Sequence, residues 1–382
     1  MNHAARSQEA TEDRAAPPID RHFQSFRVPQ SAAAKSVVAD VTNQIENYEK
    51  HFGLRKRARR KADQEIFEAT ISAVICDAIH RYFEDAGGRV AVTRSHKLLG
   101  RRSRYRSPAL GTTLPALLDR LSAPEMDFIT MELGKRWEEM VDGGVLQTKG
   151  MQTTIQAGPK LISRIKDNNL WFEDLGISAT EEIIILKDKK VRGDDGEWLE
   201  YHDTPDTRRY RRDLRSLNEW LTQADIELDQ FSDVTVDPAA RRLRRVFNNG
   251  SFKLGGRLYG GFWMNLKKQV RRQDLIIAGE SIAELDYGQM ALRQLYGKVG
   301  ARPPQGDLYA VPELPWREGV KRVINAALYA DKRQDRMPKG VRELFPHRIT
   351  YNQVWSAIEE YHAPIAGSFF KGIGMVLMFE ES

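Results

Sequence analysis

Asp286 closes the apolar run Ser281-Ile282-Ala283-Glu284-Leu285, and a helix-forming stretch takes over near Gln289. A carboxylate at a strand end, just ahead of a helix, stands in the open where a divalent cation can reach it. Its plainer role is to cap the helix that follows. Further along, Arg317, Lys321, Asn325 and Tyr329 recur every fourth residue. At about 100° per residue each such step drifts only about 40°, so a helix carries all four along one stripe, cationic at its start and aromatic at its end. An ordinary solvated helix face is the alternative. Upstream, Gly255-Gly256-Arg257-Leu258-Tyr259-Gly260-Gly261 lets the backbone come close to a ligand. It lacks the Gly-Lys-Ser/Thr ending of a phosphate-binding P-loop.

The elements that must position these residues are partly marked. Leu275–Ala278 and Ser281–Asp286, joined at Gly279-Glu280, read as an antiparallel hairpin that delivers Asp286 to its end. A second hairpin is expected from Glu182–Lys187 and Glu197–Tyr201 about the turn Asp194-Asp195-Gly196. Thr204 and Pro205 then cap and start a helix with Leu214, Leu217 and Leu221 on its buried stripe. Nearer the N-terminus, residues 1–35 show no periodicity and read as a disordered arm. Residues 36–85 carry Val37, Val38, Val41, Ile45, then Ile66 to Phe83, at three- and four-residue steps and end at Gly87-Gly88, which predicts helices. Between about 105 and 165, two amphipathic stretches, Leu114–Leu121 and Phe128–Met140, lead into Gly143-Gly144 and the Thr-rich segment Gln147–Ile155. Helices followed by a strand pair fit a winged-helix module; a plain helical accessory domain fits as well.

The chain has 382 residues, enough for two or three domains, with 41% hydrophobic and 29% charged residues. Its longest apolar runs fall far short of the roughly 20 residues that span a bilayer, and the Ala-rich N-terminus has no apolar core of a secretory signal, so no membrane partner and a cytoplasmic location are expected. The single cysteine, Cys76, excludes an intramolecular disulfide and a cysteine zinc site. Net charge is +6, with cations clustered at Arg55–Lys61, at Arg101, Arg102, Arg104 and Arg106, at Arg208–Arg215 and at Arg241–Arg245. Such clusters suit a polyanion.

Leu285-Asp286-Tyr287-Gly288-Gln289-Met290-Ala291-Leu292-Arg293 resembles motif A of the family A DNA polymerases, where Asp-Tyr-Ser-Gln, two variable positions and Leu-Arg follow a core strand. Gly288 stands at the Ser position. Arg317, Lys321 and Tyr329 resemble motif B of the same family, in the same order along the chain, with Asn325 replacing an aromatic. The resemblance implies that Asp286 and the Tyr287 carbonyl bind Mg²⁺ and that Asp286 and Lys321 are catalytic. It implies that Arg317 and Lys321 contact the triphosphate of an incoming deoxynucleoside triphosphate, with Tyr287, Asn325 and Tyr329 completing the nucleotide site and Tyr329 stacking on the template side. Gly256-Arg257 resembles the family's Gly-Arg pair that contacts primer-template DNA, a contact Gln289 and Arg293 would share. Gly306-Asp307-Leu308-Tyr309 occupies the place of the family's Asp-Ile-His segment. Ala291 replaces a bulky side chain, which implies loose discrimination against ribose.

The fold expected is thus α+β: an arm over 1–35, a helical or winged-helix-like accessory region over 36–165, a hairpin and thumb-like helical connector over 166–245, and a polymerase palm with antiparallel strands and a helical fingers segment over 246–382. The family's motif C, a His-Asp pair on a palm hairpin, is not reached before Ser382, so the palm is expected to be incomplete; Glu380 and Glu381, at what reads as a helix start, are the substitute carboxylates. Template-directed DNA synthesis is the function implied. A catalytically inactive DNA-binding or replication-accessory protein of a phage or mobile element is the alternative, and an origin-recognising initiator a third.

Overall fold

The structure, a computed structural model, describes residues 21–84, 87–141, 145–190, 196–229 and 236–381. The chain divides into two compact units, Met1–Glu181 with Val234–Ala239, and Glu182–Asp233 with Ala240–Ser382. The fold is mixed α+β.

In the first unit β1 (Arg21–His22) and β2 (Arg27–Pro29) precede α1 (Ala32–His51) and α2 (Lys61–Glu84). After them come β3 (Val90–Val92), α3 (His96–Leu99), α4 (Leu114–Leu121), β4 (Ile129–Glu132), β5 (Arg136–Val141), β6 (Val145–Gly150), β7 (Thr153–Ala157), α5 (Pro159–Asp167) and β8 (Leu175–Ile177). One sheet runs β1-β3-β7-β4, antiparallel except for the β1–β3 pair. β5 and β6 form a separate antiparallel hairpin. Ser31 caps α1 by accepting from the Ala34 amide, and α1 buries the stripe Val37, Val41 and Ile45 that its periodicity predicts. From Ile71 to Ile79 α2 is buried on almost every side, Cys76 included, which makes it the hub of the core. Burial pushes the Cys76 thiol up to about 12, so it stays a protonated core group.

Two expectations change here. Residues 1–20 of the expected arm lie outside the described residues, but 21–35 are ordered: β2 pairs antiparallel with β8, and α1 starts at Ala32. What orders them is charge. Asp77, fully buried on α2, accepts from both Arg21 guanidinium nitrogens (2.8 and 3.1 Å), from Arg27 Nε (3.1 Å) and from the Gln24 amide (2.9 Å). Asp237 completes the cluster, 2.7 Å from His80 Nε2 and 3.8 Å from Arg27. No hydrophobic periodicity could announce a segment held this way. The second change is at Phe128–Met140, which forms strands β4 and β5 instead of a helix. Phe128 and Ile129 are buried, but β4 is fixed by its β7 ladder, a partner distant in sequence. The Gly143-Gly144 turn lies outside the described residues.

The second unit contains β9 (Ile184–Leu186), α6 (Pro205–Gln223), β10 (Ile226–Leu228), β11 (Arg244–Asn248), β12 (Ser251–Tyr259), α7 (Lys268–Asp274), β13 (Leu275–Ile277), β14 (Glu280–Ser281), α8 (Met290–Lys298), α9 (Arg317–Tyr329), α10 (Tyr351–Tyr361) and α11 (Gly374–Glu381). Two three-stranded sheets run β12-β11-β9 and β10-β13-β14. The predicted cap of α6 is present, Thr204 accepting from the Thr207 amide with Pro205 at the first helical position, and Leu214 and Leu221 are buried. The hairpin expected before it shrinks to one antiparallel bridge, Lys187↔Trp198, while β9 pairs in parallel with β11, a partner distant in sequence. Asp194 and Asp195 of its turn lie outside the described residues. Helices α8 to α11 share a core of Leu292, Leu295, Val323, Ile324, Trp355 and Leu377.

Part of the basic clustering turns inward. Arg211 bridges Glu182 and Asp203, Arg241 donates to the Ala224 and Ile226 carbonyls, and Arg245 donates to the Gly256 carbonyl at 2.9 Å. Among the described residues no helix is long and apolar enough to cross a membrane.

Candidate functional site

The four-residue spacing does form one helix. In α9, Val320, Val323, Ile324, Ala327 and Leu328 are buried, while Arg317 and Tyr329 are exposed and Lys321 and Asn325 half-buried along the opposite side. Tyr329 is held at the far end of this stripe by a close approach. A Cβ on Gly374 would sit 2.7 Å from the Tyr329 ring, so only glycine lets α11 start against it. Glu380 and Glu381 end α11 rather than starting it, and the Glu380 carboxylate is taken by Lys298 Nζ at 2.7 Å.

The first half of the site departs from expectation. β13 and β14 form the hairpin, but the left-handed turn is Ala278-Gly279, one residue early, and pairing stops at Ser281. Residues 282–287 run on without strand partners, so Leu285 is 84% exposed and Tyr287 78% exposed, and Asp286 is exposed between them. Only Glu284 is tied down, by Arg271 and Arg272 at 2.5 and 2.7 Å. A strand needs a neighbour on at least one edge, and the partner strand β13 begins only at Leu275, directly after α7.

Beyond it the chain is fixed again. Gln289 adopts a left-handed conformation (φ 62°) immediately before α8, a cost of order 1 kcal/mol that three hydrogen bonds offset. Its amide donates to Asp307 Oδ1 at 2.7 Å and accepts from the Leu308 amide and from Arg293 Nη2. Thus Gln289 and Arg293, expected at DNA, have their polar groups engaged within the protein. Asp307 also accepts from the Tyr309 amide at 2.9 Å and pairs through Oδ2 with Arg317 Nε. That guanidinium holds the Asp307 carboxyl below the usual carboxylate range. Arg317 in turn bridges Glu318 at 2.7 Å and lies 5.7 Å from the Tyr309 ring centroid. Asp307 therefore links the start of α8 to the start of α9. The Gly-Asp turn at 306–307 was visible in the sequence, but nothing local marked its carboxylate as the partner of Arg317.

Behind this link sits His362, fully buried. Its Nε2 donates to the Leu308 carbonyl (2.9 Å), and its Nδ1 lies 3.0 Å from the Tyr296 hydroxyl, which can donate to it when the ring is neutral. Burial keeps its pKa below the ordinary histidine value. The unfolded chain takes up this proton first, so the contribution is fully present above about pH 6.5 and is lost as pH falls. The thermal midpoint of the second unit is expected to drop between pH 7.5 and 5.5, and His362→Gln to flatten that part of the slope. An unchanged slope in the variant would assign the drop to other groups.

Gly256 is buried in β12, where a Cβ would meet the Phe379 ring at 3.3 Å and the Arg245 side chain at 3.4 Å. Its φ of 82° and its missing side chain serve that packing, not an approach from outside; Arg257 beside it is exposed. Among the described residues no group of three or more His, Cys, Asp or Glu could hold a metal ion. Comparison with protein-family models, with curated proteins and with solved structures finds no match to the chain.

Proposed function

We propose that the second unit is a nucleotidyl-transfer core of the family A DNA polymerase kind, which takes deoxynucleoside triphosphates with Mg²⁺ and adds them to a primer on template DNA. The observation that carries this reading is the α9 stripe, with Arg317, Lys321, Asn325 and Tyr329 outward and its base tied through Asp307 to Gln289, three residues after Asp286. A guanidinium and an ammonium on one rigid face suit a triphosphate, and an exposed aromatic at the other end suits a base. The Asp286 carboxylate and Tyr287 carbonyl are hard oxygen donors of the class Mg²⁺ accepts. With a triphosphate supplying further oxygens they suit one nucleotide-borne ion; a second ion would need another carboxylate. Magnesium is expected to tighten dATP binding by this chain and to have no such effect on Asp286→Asn. A magnesium effect that survives the substitution would sink the assignment.

The first unit favours a second reading. Its order of α2, β3, α3, α4, then a strand pair, with β7 between β3 and β4, fits a winged-helix arrangement. The chain would then be an origin-recognising or replication-accessory DNA-binding protein. Sequence-specific duplex binding that is indifferent to nucleotide and to Asp286 would favour it.

A further inference from the structure

The loop from α1 to α2 combines features that a merely solvated turn would not. Glu49, at the end of α1, is buried, and three arginines converge on it. Arg59 binds both carboxylate oxygens at 2.7 and 2.6 Å, Arg55 approaches to 3.5 Å, and Arg120 reaches in from α4. Arg59 also lies over the Phe67 ring, 3.4 Å from its centroid. These contacts fix the loop backbone, helped by the Leu54 amide donating to the Glu49 carbonyl at 2.9 Å. What remains outward is Lys56, Arg57, Arg60 and Lys61, all exposed and in no ion pair among the described residues. Beside them Phe52 is 48% and Leu54 51% exposed, with Phe52 propped against Tyr48 (4.6 Å between centroids) and His51 (4.9 Å).

A second loop is built the same way and is tied to the same helix. Asp119, next to Arg120 on α4, takes both Arg94 nitrogens at 2.7 and 2.9 Å. Arg106 closes the stretch after α3 by donating to the carbonyls of Leu98 (2.5 Å), Arg101 (2.6 Å) and Leu110 (2.7 Å). Lys97, Arg101 and Arg102 are left exposed, again with an apolar neighbour, Leu98.

In both loops some arginines are consumed in holding the backbone, and the remainder are displayed beside exposed apolar side chains. A duplex backbone would use the cations and leave Phe52 idle. Cations next to a propped aromatic ring match a strand whose bases are unpaired, with phosphates on the first and a base face on the second. We propose that these two loops of the first unit bind single-stranded nucleic acid, with Phe52 stacking on a base. The site is independent of the nucleotide site assigned to the second unit.

The test is anisotropy of a fluorescein-labelled oligo-dT strand titrated with the full chain over a range of salt. The triple variant Lys56→Gln/Arg57→Gln/Arg60→Gln is expected to lower the slope of log affinity against log salt by about 2, at about 0.7 per lost phosphate contact on a single strand. Phe52→Ala is expected to weaken binding at least about fivefold at unchanged slope, and Phe52→Trp to restore it. Thermal midpoints equal to the parent's confirm that the variants are folded, as befits exposed positions. Arg317→Ala/Lys321→Ala is expected to keep oligo-dT binding, which separates this site from the second unit. An unchanged slope in the triple variant overturns the proposal. So does a duplex of equal length bound as tightly and without response to Phe52. Loss of phosphatidylserine-vesicle binding in the triple variant, with oligo-dT binding intact, overturns it in favour of a membrane surface.

Discussion

Replacing Asp77 by alanine is expected to destabilise the first unit by about 3–5 kcal/mol, a large share of the about 5–15 kcal/mol typical of a domain. The carboxylate is fully buried and neutralises two arginines that are themselves largely withdrawn from water. Without it Arg27 keeps only the 3.8 Å approach to Asp237, and the Gln24 amide loses its acceptor. Arg21 still has Glu84 at 2.8 Å, so the cost comes mainly from leaving Arg27 and a backbone donor poorly partnered inside, not from losing an attraction. Because β1 and β2 are short and rely on these pairs, the loss should release both, and proteolysis should reach residues 21–30 first. Asp77→Asn, which keeps the shape and one acceptor oxygen, should lose less. Urea unfolding of the parent and both variants decides it. A loss for alanine below about 1 kcal/mol, the size of an exposed pair, would mean the strands are held by packing alone.

The second large effect is expected at α9. Changing Arg317 and Lys321 together to alanine should weaken binding of a magnesium deoxynucleoside triphosphate at least about hundredfold, each charge-assisted contact to phosphate being worth about a factor of ten or more. Arg317 is engaged by Asp307 and Glu318, so a triphosphate would have to take it from a carboxylate. That exchange predicts an opposite sign for Asp307→Asn, which weakens the competing pair while keeping an acceptor for the Tyr309 amide. Its affinity for nucleotide should rise a few-fold. Isothermal titration with dATP and magnesium separates the outcomes. If the double variant keeps nucleotide and instead loses DNA, α9 is a DNA-contacting helix and the triphosphate assignment fails.

What could be read from sequence is what local periodicity and caps determine. The stripe of α9 follows from residues four apart, α6 from Thr204-Pro205, and the buried faces of α1 and α2 from their apolar spacing. What could not be read depends on partners far along the chain. The short apolar run Ser281–Leu285 after a Gly turn suits a strand, yet no neighbour pairs with it beyond Ser281. Phe128–Met140 has spacing that serves a helix or a strand, and β7 decides. The ordering of residues 21–30 rests on Asp77, about fifty positions later, and Arg317's partner Asp307 looked like an ordinary turn carboxylate. In the candidate site the charged stripe was therefore legible, whereas the exposure of Leu285 and Tyr287 and the internal engagement of Gln289 were not.

The first unit is also not continuous along the chain, since Val234–Ala239 belongs to it and Glu182–Asp233 does not. A ribosome makes α2 early and Asp237 late. Until the intervening segment has left the exit tunnel, His80 lacks the carboxylate that meets it at 2.7 Å and Arg27 has Asp77 alone. Vectorial synthesis thus finishes this charge cluster only after the opening of the second unit has been made. A nascent chain stalled between these two points would carry an unfinished first unit, the form most open to proteases and chaperones.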